Sequence, residues 1–161
     1  SCCYLAKQVD NIIVTRTFSK ALSLASIRLG YVCTSKKNVE IINKVKNKKE
    51  VNSFAQALGH CVLENIHLLQ KRTEMVKENR NNFISDLKAK NIEHIESDSN
   101  FVLIKLKNHS LALSELLKNN FLVRDRSSIK GLENCVRITV DTAQNMKAIS
   151  GILQQTEEMN D

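Results

Sequence analysis

Between Thr15 and Tyr31 the chain reads TRTFSKALSLASIRLGY, and four side chains in that stretch could act together. Thr17 and Ser19 carry hydroxyls, Lys20 follows directly, and Arg28 lies eight residues further on. Hydroxyl donors and a guanidinium fork suit a phosphate dianion, because the fork bonds two oxygens at once and stays charged at any working pH. The lysine suits a different task. With Arg28 nearby its ammonium is disfavoured, its pKa should fall, and the free amine becomes a nucleophile toward an aldehyde. Types and spacing alone leave a plainer alternative open, a helix-starting Ser-Lys pair with a surface arginine.

Positioning these groups requires a turn between strands. Residues 11–16 (NIIVTR) form a short β-branched run that reads as a buried strand of the parallel type, and residues 28–34 (RLGYVCT) read as another. Two strands joined by a Ser-rich segment resemble the rim of an α/β sheet, where ligands commonly bind. From Asn38 to Lys90 the period becomes helical. Val39, Ile42 and Val45 recur, then Phe54, Leu58, Cys61, Val62 and Ile66. Residues 68–90 keep a single apolar stripe with charges on the other face. Beyond Asn91, strands are expected at 92–95, 101–106, 121–124 and 135–140, with helices at 110–119, Ser110 as N-cap, and 142–159. That order describes an α+β unit.

Composition narrows the classes. The 161 residues are 42% hydrophobic and 25% charged, as in a globular protein, and no run reaches the roughly 20 apolar residues of a membrane-spanning helix. The net charge of +7 suggests nucleic acid, but acidic residues punctuate the basic clusters and seven aromatics are too few for a base-stacking surface. A solvated helix face is the plainer reading. Five scattered cysteines, with no CxxC pair and no histidine at ligand spacing, support neither a disulfide framework nor a metal site. They read as buried, reduced thiols of a cytoplasmic protein. There is no proline where roughly eight would be usual, and the chain starts at Ser1 rather than methionine, so it reads as a piece of a longer protein.

The pattern T-x-S-K-x-x-x-L-A-x-x-R-x-G-Y at Thr17–Tyr31 resembles the signature of class I/II pyridoxal-phosphate aminotransferases, and its wording is most similar to their histidinol-phosphate branch. Three further segments resemble the same family: residues 51–57 (VNSFAQA), residues 99–102 (SNFV), and residues 123–125 (VRD) with 136–140 (VRITV). The likeness runs through essentially the whole chain in the right order.

The resemblance implies an α/β fold, the C-terminal part of the type I fold of pyridoxal-phosphate-dependent transferases. Residues 1–35 would be the edge of the large cofactor-binding domain, 36–90 a helical connector and 91–161 a small α+β domain. Lys20 would join the cofactor aldehyde and then move the substrate proton, while Thr17, Ser19 and Arg28 hold the cofactor phosphate. Arg137 would pair with the substrate carboxylate, or help orient the amine-bearing end where that group is an alcohol, and Arg124 would reach a substrate phosphate. The reaction implied is amino transfer between a small amino donor and a 2-oxo acid, as in histidine biosynthesis, by a cytoplasmic homodimer with no nucleic-acid, membrane or metal partner. A decarboxylase of phosphorylated amino acids and a non-catalytic basic module are the alternatives. One departure stands out: Asp141-Thr142 follows the Arg137 strand where the family usually has Gly-Thr, and Asp141 reads as a helix N-cap. The family's aspartate, tyrosine and asparagine contacts to the cofactor ring would fall upstream of Ser1. Tyr4 lies too close to Lys20 to replace the tyrosine, so the 161 residues alone are expected to be inactive or nearly so.

Overall fold

A computed structural model describes residues 2–22, 24–47 and 50–159. The chain divides into two compact units, Ser1–Arg72 and Thr73–Asp161.

In the first unit, β1 (Val14–Thr17) and β2 (Gly30–Cys33) pair antiparallel, from Val14 opposite Cys33 to Thr17 opposite Gly30. This corrects the parallel, buried pair expected from sequence. The apolar run resembles a buried parallel strand, but β1 and β2 run antiparallel as the arms of a hairpin, and β1 is mostly exposed. At Gly30 a side chain would bring its Cβ within 2.7 Å of the Arg16 carbonyl oxygen, so only glycine lets the strands approach this closely. Phe18 and Ile27 are buried inside the loop. The Phe18 ring meets Tyr31 edge-on at 6.1 Å.

Two helices follow, α1 (Lys36–Val45) and α2 (Ser53–Glu64). Ser35 Oγ accepts from Asn38 N–H at the start of α1, and Asn52 Oδ1 accepts from Ala55 N–H at the start of α2. The periodic apolar residues predict these helices correctly, yet in this unit they stay largely uncovered, with Val45 84% and Phe54 68% exposed. Lys48 and Lys49 of the basic run lie outside the described residues. Helix α3 (Ile66–Ala89) starts in the first unit and runs into the second.

The second unit is the better-packed one. Its elements are β3 (His94–Ile95), β4 (Phe101–Lys105), α4 (His109–Lys118), β5 (Arg124–Asp125), β6 (Cys135–Thr139) and α5 (Ala143–Glu158). The four strands form one antiparallel sheet in the order β3-β4-β6-β5. Alternation decides which face is buried. Val102 and Ile104 of β4 and Val136 and Ile138 of β6 point into a core with Phe83, Leu87, Leu116 and Leu153 from the helices, while Phe101, Leu103 and Arg137 take the other face. The element order agrees with the sequence reading, although the outer strands are shorter than expected.

Three local expectations fail. Asn108, not Ser110, precedes α4, and no side chain caps that helix. Thr142, not Asp141, caps α5 by accepting from Asn145 N–H. Cys135 alone of the five cysteines is buried: Cys2 and Cys61 are exposed, and Cys3 and Cys33 are half-buried. The spacing that places a cysteine on an apolar stripe says nothing about whether that stripe is covered.

Candidate active site

The hairpin loop gathers the first set of residues. A backbone bond from Phe18 N–H to Leu29 O (3.0 Å) carries the β1–β2 pairing one step beyond the strands, to the loop that holds Ser19, Lys20 and Arg28. With Phe18 turned into the interior, Thr17 and Ser19 fall together. Thr17 donates its hydroxyl to Ser19 Oγ at 2.9 Å and accepts from Ser19 N–H at 3.1 Å. Arg28 takes up a left-handed conformation, φ 53°, at the end of the short 3-10 turn Ala25–Ile27. For a non-glycine residue this costs of order 1 kcal/mol, and such strain collects at binding sites. Its guanidinium makes one long hydrogen bond, Nη1 to Ala25 O at 3.4 Å, which leaves most of its donors facing solvent. Lys20 is exposed and makes no hydrogen bond or ion pair among the described residues. The loop thus presents two linked hydroxyls, a weakly engaged guanidinium and an exposed lysine.

In the second unit, β5 and β6 set Arg124 directly opposite Arg137. Two like charges in that position repel. Arg137 lies over the Phe101 ring, 5.1 Å from its centroid, and its Nε is buried with no acceptor among the described residues. A buried donor without a partner costs about 1–3 kcal/mol, so stability does not explain this pair, and two guanidinium groups side by side are chemically suited to an anion. The neighbouring acid does not neutralise it. Asp125 is held below the ordinary carboxyl range first by Ser127 N–H, then by His109, whose ring lies 3.0 Å from Asp125 Oδ1.

Residue pattern does not mark the side chains that set this sheet face. Phe101 reads as one more apolar residue of a strand, with no sign that an arginine rests on its ring. Asn79 and Arg80 fall outside the apolar stripe of α3, yet both are buried. Asn79 Nδ2 donates to Asp141 O at 2.9 Å and Arg80 Nη1 to Ser99 O at 3.0 Å. With Val140 N–H bonded to Asn100 O, they fix the ends of β4 and β6 that carry Phe101 and Arg137. Period alone does not find them, because a polar residue in a helix is exposed by default.

With Thr17, Ser19, Lys20 and Arg28 on one hairpin, the likeness to known proteins becomes specific: the family model of the class I and II aminotransferases matches residues 2–152. The chain belongs to that family. Among its relatives, a histidinol-phosphate aminotransferase of Thermoanaerobacter sp. (strain X514) is 35% identical over 147 residues, covering 90% of this chain and 42% of the relative. A dihydroxyacetone phosphate transaminase of Campylobacter jejuni is 34% identical over 159 residues, covering 96% of this chain and 43% of the relative. The crystal structure of the histidinol-phosphate aminotransferase from Clostridium acetobutylicum superposes with a TM-score of 0.84 at 23% identity, over 99% of this chain and 49% of that one. The fold is therefore the type I fold of this pyridoxal-phosphate-dependent family. The chain spans less than half the length of the curated relatives it matches.

The donor set fits the cofactor of this family. Ser19, Thr17 and the loosely held Arg28 guanidinium suit its phosphate, and the exposed amine of Lys20 suits its aldehyde. Among the described residues no three His, Cys, Asp or Glu side chains gather to hold a metal ion, and no helix is long and apolar enough to cross a membrane.

Proposed function

We propose that the whole protein transfers an amino group from a phosphorylated amino compound to a 2-oxo acid, with histidinol phosphate and 2-oxoglutarate the first pair to test. The observation that carries this reading is the hairpin that joins a lysine, without a partner among the described residues, to a set of hydroxyl and guanidinium donors. When bound, pyridoxal phosphate supplies an electron sink for the carbon that loses its proton. Lys20 anchors it and then accepts and returns that proton, which needs an exposed amine free of ion pairs. Thr17, Ser19 and Arg28 hold the phosphate, so the reacting carbon stays within reach of Lys20. On the second unit, Arg137 receives the substrate carboxylate and Arg124 a substrate phosphate. Two relatives whose names both specify a phosphate ester support a phosphorylated substrate.

The test uses the full-length protein. Adding pyridoxal phosphate should give the visible absorbance of lysine-bound cofactor, and borohydride should fix the cofactor on the tryptic peptide that contains Lys20. Glutamate should form from histidinol phosphate and 2-oxoglutarate, and no carbon dioxide should form from phosphorylated amino acids. Lys20→Ala should lose both the absorbance and the turnover. Turnover that survives Lys20→Ala would overturn the reading. We expect the 161 residues alone to lack turnover.

A further inference from the structure

A cluster of side chains on the opposite part of the hairpin is not used by the proposed reaction. Val14 pairs with Cys33 and Arg16 with Tyr31 across the ladder, which places Arg16 and Cys33 diagonally on one face. Diagonal neighbours in an antiparallel pair are about 7–8 Å apart, close enough for a third side chain to bridge them. Cys3 is that side chain. It comes from the turn before the 3-10 helix Leu5–Lys7, and it makes hydrogen-bonding contact with both the Arg16 guanidinium and the Cys33 thiol. The contact with Cys3 leads the effects that raise the Arg16 pKa, and it also leads those that raise the Cys33 thiol above its usual value.

An arginine in contact with a thiol favours the thiolate, the form that reacts with peroxides. A second thiol in contact with the first is placed to resolve the product. Both cysteines are half-buried rather than sealed, unlike Cys135, whose thiol is pushed up by burial. Neither is in a disulfide.

We propose that Cys3 and Cys33 form a peroxide-sensitive dithiol, with Cys3 as the attacking sulfur, Arg16 as its activator and Cys33 as the resolving sulfur. The oxidant is a hydroperoxide. The Cys3 thiolate attacks one peroxide oxygen, the O–O bond breaks, and the second oxygen leaves as alkoxide or hydroxide. Cys3 is then a sulfenic acid, its sulfur oxidised by two electrons. Cys33 attacks that sulfur, the S–S bond forms as the S–O bond breaks, and the sulfenic hydroxyl leaves as water with the proton of the Cys33 thiol. A dithiol reductant reverses the change by two electrons. The disulfide ties the N-terminal turn to β2 and removes the sulfur from Arg16, the immediate neighbour of Thr17.

The experiment treats the reduced full-length chain with a small excess of hydrogen peroxide, alkylates the remaining thiols and maps tryptic peptides. The expected product joins the peptide ending at Lys7 to the peptide of residues 29–36, with its mass lower by two hydrogens. Cys2→Ser should preserve that link, which assigns it to Cys3, and Cys3→Ser or Cys33→Ser should abolish it. Arg16→Gln should slow the peroxide reaction about tenfold, the change in thiolate fraction for one pKa unit, and Arg16→Lys should retain the rate. In denaturant the preference for Cys3 should vanish. The proposal is overturned if Cys3 and Cys33 are both alkylated after peroxide, if the link uses Cys2 or Cys61 instead, or if Arg16→Gln reacts as fast as wild type.

Discussion

Replacing Arg137 with methionine should make the chain more stable while removing its grip on an anion. The buried, unpaired Nε costs about 1–3 kcal/mol. The like charge of Arg124 directly across the ladder adds about 0.2–1 kcal/mol. Against these stands the contact with the Phe101 ring, worth about 0.5–1 kcal/mol for a partly exposed cation. A methionine keeps an unbranched stem and a sulfur against that ring. The balance favours methionine by about 1 kcal/mol, or a Tm higher by about 2–4 °C for a chain of this size. Thermal unfolding followed by circular dichroism in low-salt buffer, with and without 2-oxoglutarate or phosphate, reads both effects. An anion at a hundred times its Kd should stabilise the wild type by about 2.7 kcal/mol and leave the variant unmoved. A variant that melts several degrees below wild type, or gains the same shift from the anion, would refute the idea that Arg137 serves binding at the expense of folding.

Other substitutions probe the scaffold. Gly30→Ala would push a Cβ against the Arg16 carbonyl, so the hairpin should open at a cost of about 1–3 kcal/mol, measurable by urea unfolding. Leu153→Ala, in the core of the second unit, should cost about 2–5 kcal/mol, whereas Leu122→Ala, at a residue 88% exposed, should stay within about 0.5 kcal/mol. A midpoint change of similar size for both leucines would contradict the assigned core. Acid stability tests Asp86. Burial works to raise its pKa, but hydrogen bonds from Lys90 and Ser150 prevail and hold it below its ordinary value of 3.8. Because the folded-state pKa is depressed, the stabilisation is present above that value and is lost as pH falls through the lower one. Asp86→Asn should therefore lose stability at neutral pH and show a flatter decline below about pH 4; an unchanged acid limb would argue against the assignment.

Much of the second unit is legible in the amino-acid sequence. The alternation in FVLIK and CVRIT marks two strands with one buried face, and the spaced apolar residues of residues 143–158 mark the closing helix. Lys20 and its neighbours stand out by type and spacing, and one hairpin loop carries Thr17, Ser19, Lys20 and Arg28. The direction of β1 is not legible. A short run such as NIIVTR has the same composition in a buried parallel strand as in an exposed hairpin, and only the partner strand distinguishes them. The helix caps shift by one or two residues because several adjacent polar residues could serve, and backbone geometry chooses among them.

By itself the sequence determined the local periods, the order of elements in the second unit and the residues here proposed to hold a phosphate and attack an aldehyde, since these depend on neighbours along the chain. The tertiary structure decided what depends on distant residues: the antiparallel register that closes the hairpin, the burial of Asn79 and Arg80, the facing arginines, and the contact of Cys3 with Arg16 and Cys33. The physical reason is that backbone propensity acts over a few residues, whereas burial, charge pairing and thiol contact arise only when segments far apart in sequence share a surface.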